Sequence, residues 1–261
     1  MFYKSKMKLR LCRTVIVAIL VIYINCVLTN IVSLRQRWYT ETFRNGTAME
    51  PLHDTLFVDW IHGYTIPFQD LITLRDFVDI LTYSWVFLTL LVWSAFNRDP
   101  MLLARALTAQ MLLMPTFSLS QLLTIVPDAT PNCLTVYQIP LGPDMGWVFW
   151  KYPTRACGNM LWSSDVTQLV IFTSFATQMI NDRRSCLKWC IWILGEWWTF
   201  MTMVIIFTAK YQYSVDVLST IVVVKLAMSH HFVDHFAKYC FIRKGDYYAR
   251  APSHELPRMT I

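Results

Sequence analysis

Residues 187–208 read LKWCIWILGEWWTFMTMVIIFT, and Lys188 and Glu196 are the only charged side chains among them. A hydrocarbon core of roughly 30 Å needs roughly 20 predominantly apolar residues per helical crossing, so this stretch is long enough to span a bilayer. Working outward from it, further apolar blocks occupy 11–34, 74–96, 101–126, 165–180 and 215–235. The apolar residues fall in helix-length blocks rather than alternating through a soluble core. They make up 55% of the chain, and the mean hydropathy is +0.39. The predicted fold is therefore all-α: a polytopic integral membrane protein built as a six-transmembrane-helix bundle. Block 165–180 is short and carries Thr167, Gln168, Thr173, Ser174, Thr177 and Gln178. It needs shielding by neighbouring helices, and without it the count falls to five. No internal repeat, low-complexity run or Pro/Gly linker divides the chain, so residues 1–261 read as a single domain, with a basic N-terminal tail at 1–10 and a C-terminal tail at 238–261.

Orientation follows from Lys and Arg, which are retained preferentially on the cytosolic or matrix side. With six crossings, one side receives Lys4, Lys6, Lys8, Arg10 and Arg13, then Arg98 and Arg105, then Arg183, Arg184 and Lys188, and finally Lys238, Arg243, Lys244, Arg250 and Arg258. The other side receives the segments 35–73 and 127–164. Cationic tails beside an anionic leaflet account for the net charge of +6 without a nucleic-acid partner. Block 11–34 is full-span with no small-residue cleavage site after it, which makes it a retained anchor rather than a signal peptide.

The seven cysteines show no CxxC pairing. Cys133 and Cys157 share the non-cytosolic side, where an oxidising compartment would allow a disulfide between them. The sequon Asn45-Gly46-Thr47 falls on the same side and carries little weight, because short sequons arise by chance. His230, His231 and His235 could suggest a metal cluster, but they read better as interfacial side chains at a helix end. His230 stands fourteen positions from Asp216, about 21 Å along a helix. No metal or other cofactor is expected. Glu196 and Lys225 fall at similar depths in two blocks and are expected to form an intramembrane ion pair.

Asp165 and Asp216 head the blocks 165–180 and 215–235 at their non-cytosolic ends. Around them stand Cys157-Gly158-Asn159, then Trp162-Ser163-Ser164-Asp165-Val166, and Gln212-Tyr213-Ser214-Val215-Asp216-Val217. This arrangement resembles the sphingomyelin synthase branch of the lipid phosphate phosphatase superfamily over most of the chain. In that family the first motif reads Cys-Gly-Asp, a short stretch ending in an aromatic, then Ser-Gly-His-Thr. Here Cys157, Gly158, Trp162 and Ser163 fit, while Asn159, Ser164, Asp165 and Val166 depart. The second family motif, His-Tyr-Thr-x-Asp-Val, has Gln212 where the histidine would be. Pro51-Leu52-His53-Asp54 is similar to the family's Pro-Leu-Pro-Asp segment. Residues 105–133 are similar to its third helix, with a Thr-x-x-Pro loop and Asn132-Cys133, but Phe117 replaces a mid-helix Arg.

The resemblance implies a lipid-headgroup pocket formed by Asp54, Asn159, Ser163, Asp165, Gln212 and Asp216. It also implies a chemistry that this chain has lost. The family moves phosphocholine or phosphoethanolamine from a glycerophospholipid to ceramide, with the second-motif His as nucleophile, an Asp four residues on orienting it, and the first-motif His protonating the leaving alcohol. Gln212 has no lone pair basic enough to attack phosphorus, and a carboxyl at Asp165 is ionised at neutral pH unless its surroundings raise its pKa. The expectation is a catalytically degenerate sphingolipid-synthase-like protein that binds membrane phospholipid or sphingolipid, or serves as a subunit of a membrane complex. The alternative is a headgroup transferase using Asp165 and Asp216 in altered roles. By resemblance the membrane is that of the secretory pathway; positive-inside topology fits the mitochondrial inner membrane equally.

Overall fold

The computed structural model describes residues 2–44, 68–97, 100–123, 139–140, 144–150, 162–180, 185–208, 214–230, 232–233 and 236–237, and among them there is no strand. In chain order the helices are α1 (Phe2–Arg44), α2 (Phe68–Val92), which runs into a π-helical turn at Trp93–Asn97, α3 (Pro100–Leu123), the short α4 (Met145–Trp150), α5 (Ser164–Gln178), α6 (Ser185–Thr208) and α7 (Ser214–Ser229).

Four of these contain stretches long and apolar enough to cross a membrane: Val15–Phe43, Asp76–Ala95, Met101–Ser120 and Cys186–Thr208. The chain therefore has the build of an integral membrane protein. Its outward surface is apolar in the same sense, with Ile19, Ile80, Phe87, Trp189 and Ile193 exposed on three of the four. In water such a surface would be an aggregation liability; against acyl chains it costs nothing. The helices α5 and α7 have 15 and 16 residues, about 23–24 Å each, short of a full hydrocarbon core.

Helix α5 is the centre of the bundle, packed against α2, α3, α6 and α7. This is the shielding that its hydroxyls demanded. Val166, Thr167, Leu169 and Ile171 are all inaccessible, and Thr173 accepts a hydrogen bond from Trp85 Nε1 at 3.1 Å. The core continues through Val78 and Trp85 of α2, Ala106, Ala109 and Phe117 of α3, Ile206 of α6 and Val217 and Val224 of α7. Gly195 of α6 lets that helix approach α5 closely, because Thr173 occupies the space that a side chain there would need.

Two features differ from the sequence reading. Helix α1 runs well beyond 11–34 at both ends, so the first part of the expected outer segment, residues 35–44, is helical. Its polar face finds partners: Arg37 donates to Ile139 O at 2.6 Å, and Thr40 donates to Gln36 O at 3.0 Å. The second is α4, a short helix within the outer segment 127–164. Asp144 starts it by accepting from Trp147 N at 3.1 Å, and the helix packs along α1, where Asn30 Nδ2 donates to Val148 O at 2.9 Å.

Candidate functional site

Of the first motif, Ser163 to Val166 form the N-terminus of α5. Ser163 adopts extended backbone (φ −92°, ψ 112°) and caps the helix by accepting from Val166 N through its hydroxyl. The hydroxyl of Thr167 returns to Ser163 O at 2.7 Å. An N-cap serine satisfies one of the orphan amide donors of the first turn, and Asp165 sits in that turn, where the helix dipole favours negative charge. Both are buried, Asp165 with 5% of its surface exposed.

Residues Ser214 to Val217 of the second motif open α7. Ser214 and Asp216 lie in the first turn and are buried. A short relay joins the two helix ends: Ser163 N–H donates to Thr220 Oγ1 at 2.9 Å, and the Thr220 hydroxyl donates to Asp216 O at 2.6 Å. This fixes the cap of α5 against α7 one turn beyond Asp216, so both acids belong to the same end of the bundle. Each occupies the place where its own helix stabilises it.

On the α3 side, Trp162 stacks on Phe117 with ring centroids 4.6 Å apart and planes 12° from parallel. Phe117 is itself buried. The neighbouring Ser118 hydroxyl donates to Asn25 Oδ1 of α1, and Asn25 Nδ2 reaches Met114 Sδ at 3.9 Å. A polar layer thus runs from α7 through the α5 cap and past an aromatic pair to α1. The helices α3, α5 and α7 carry two basic residues, Arg105 and Lys225. They lie twelve residues from Phe117 and nine from Asp216, about 18 and 14 Å along their helices. Among the described residues the layer offers carboxyl groups, hydroxyls and aromatic faces.

Of the six pocket residues expected from sequence, Ser163, Asp165 and Asp216 stand at the same end of the bundle; Asp54, Asn159 and Gln212 lie outside the described residues. So do Cys133, Cys157, the Asn45 sequon, His231 and His235. Among the described residues no group of three or more His, Cys, Asp or Glu is placed to hold a metal ion. Two participants, Thr220 and Asn25, were missed, and one pairing was not foreseen. Thr220 gave no clue, because its partner is distant in sequence. Asn25 belongs to a run of polar positions on α1, Asn25, Thr29, Asn30, Ser33, Gln36 and Thr40, whose helical spacing was visible. Trp162 and Phe117 were noted separately but not as a pair. A comparison with protein-family models finds no match for this chain, and a search of curated proteins finds none either.

Proposed function

We propose that the chain is a six-crossing membrane protein of the sphingomyelin-synthase type that holds a lipid without transferring its headgroup. The observation that carries this reading is the pairing of two buried acid-bearing helix ends, Ser163–Asp165 and Ser214–Asp216, through Thr220. These are the segments that resemble the family's two catalytic motifs. In this reading α5, shielded by α2, α3 and α6, and α7, packed on α5 and α3, are short crossings that bring the count from four to six.

Loss of turnover follows from three positions. Gln212 replaces the nucleophile, Asp165 replaces the proton donor, and Phe117, stacked on Trp162, stands where the family has a cation. A phosphate would meet two carboxylates and an aromatic pair. The pocket is that of a pseudoenzyme acting as a lipid-binding or structural subunit of a membrane complex. Its membrane is that of the secretory pathway, or alternatively the mitochondrial inner membrane, and neither nucleic acid nor a cofactor takes part.

Purified chain given labelled phosphatidylcholine or phosphatidylethanolamine with ceramide is expected to yield no labelled sphingolipid above a protein-free control, since removing such a nucleophile costs about a million-fold in rate. Lipid extracted with the chain in native nanodiscs is expected to be enriched in one phospholipid or sphingolipid class over the surrounding bilayer. Robust transfer would overturn the pseudoenzyme reading, and no enrichment would overturn lipid binding. The second reading, an active transferase with rearranged roles, draws on the burial of both acids; it requires transfer that Asp216→Asn abolishes.

Six crossings place both termini on the basic side and the Cys133–Cys157 region opposite. Single-cysteine variants labelled with a membrane-impermeant thiol reagent test this. Labelling of Cys157 and of a C-terminal cysteine from the same side would exclude it.

A further inference from the structure

Glu196 lies near the middle of the candidate span Cys186–Thr208, and Lys225 of α7 donates to both of its carboxylate oxygens, at 2.9 and 3.1 Å. The ion pair expected from the sequence therefore forms, but it does not face the bundle interior. The Lys225 side chain is 47% exposed and that of Glu196 32%. Around the pair the outward surface is apolar, with Ile193, Trp197 and Phe200 on α6 and Leu218, Val222 and Leu226 on α7 all exposed. Ionisable groups at this depth ordinarily turn inward or toward a water-filled cavity, because acyl chains offer them nothing in exchange for water. A charge pair set in a lipid-facing surface therefore calls for a polar partner beside it in the membrane.

We infer that the α6–α7 face is the contact surface for a second copy of this chain, with Glu196 of each copy meeting Lys225 of the other. The pair joins α6 to α7, so its charge separation runs across the face from one helix to the other. A two-fold axis along the membrane normal reverses that direction while keeping depth unchanged. It therefore sets carboxylate against ammonium twice and closes a ring of four alternating charges. Such an interface is isologous, the same patch on both copies, as symmetric dimers require. The stripes Leu218–Val222–Leu226 and Ile193–Trp197–Phe200 repeat every three or four residues, the spacing with which helices interdigitate. Apolar area alone does not drive association in lipid, where packing and polar contacts between helices do.

The test uses the full chain in lipid bilayers, with subunits counted on single molecules as the protein-to-lipid ratio is varied. The wild type is expected to be dimeric. Glu196→Lys and Lys225→Glu are each expected to weaken dimerisation about tenfold or more. Reconstituting those two variants together is expected to restore association, since one presents two cations and the other two carboxylates. A neutral variant, Glu196→Gln with Lys225→Met, guards against misfolding; it is expected to keep the wild-type melting temperature and to dimerise about tenfold more weakly. A monomeric wild type would overturn the inference. So would a folded neutral variant that dimerises as the wild type does, or mixed charge-reversed chains that associate no better than either alone. None of these readouts depends on lipid binding or headgroup transfer, so the interface and the proposed function fail separately.

Discussion

Replacing Gly195 with valine is expected to destabilise the bundle by about 3 kcal/mol or more, a large share of a native stability of about 5–15 kcal/mol. A Cβ at this position would stand 2.7 Å from Thr173 Oγ1 and 3.1 Å from Thr173 Cβ. Thr173 cannot simply rotate away, because its hydroxyl accepts the Trp85 indole N–H at 3.1 Å. Nor is Trp85 free to follow: it is 2% exposed and stacks on Trp198 at 5.6 Å, whose own N–H donates to Leu81 O at 3.0 Å. The clash therefore propagates through α2, α5 and α6. Gly195→Ala sets two magnitudes against each other. Alanine gains about 0.5–1 kcal/mol of helix propensity over glycine, while overpacking costs about 1–3 kcal/mol, so a net loss of about 1 kcal/mol is expected. Adding Thr173→Ala removes the atoms in the way, and the double variant should be more stable than the two separate losses predict. Thermal or denaturant unfolding in a membrane mimic checks the series. A Gly195→Val chain as stable as the wild type would mean that α5 and α6 do not cross closely there.

The long apolar blocks were legible because span length is set by the bilayer rather than by tertiary detail. Block 187–208 became Ser185–Thr208, and block 101–126 became Pro100–Leu123. The polar character of 165–180 also pointed correctly to a shielded position, now seen as α5 surrounded by four helices. Less legible was most of what depends on tertiary contacts. Residues 35–44 look like a loop by hydropathy, yet they stay helical with Arg37 and Thr40 bonded. Helix α4 has only six residues, too few for periodicity to register.

The candidate site divides along the same line. Asp165 and Asp216 drew attention because carboxylates in apolar blocks need a reason, and the motif order places both at the non-cytosolic ends of their blocks. Their placement at one end depends on Thr220, an ordinary hydroxyl in an apolar helix, and the aromatic cover depends on Phe117 meeting Trp162 from forty-five positions away. Composition carries no trace of either contact. The ion pair between Glu196 and Lys225 was legible because two opposite charges at one depth are rare; its outward exposure was not, since that follows from α5 filling the centre.

Arg105→Leu is expected to loosen the opposite end of the bundle by about 2–3 kcal/mol, the range for hydrogen bonds to a charged group lost from a partly buried site. One arm of the guanidinium donates to Gln178 Oε1 at 2.8 Å and the other to Met228 O at 2.7 Å. These contacts tie α3 to the last turns of α5 and α7. The last four carbonyls of a helix lack intrahelical partners, and a cation there also meets the negative end of the dipole, so Arg105 serves α7 twice over. The geometry makes lysine a poor substitute. A planar fork holds two acceptors at once, whereas an ammonium on a flexible stem offers a point charge, and Arg105→Lys should recover about half of the loss. Gln178→Leu removes one acceptor and leaves the Met228 contact, so it should cost about 1 kcal/mol. Combining it with Arg105→Leu should cost less than the sum, because both changes break the same bond. Hydrogen exchange offers a local readout, with the amides of the last turns of α5 and α7 expected to lose protection before those near Ser163 and Asp216. Equal loss at both ends would mean that Arg105 supports the bundle as a whole rather than clamping one end of it.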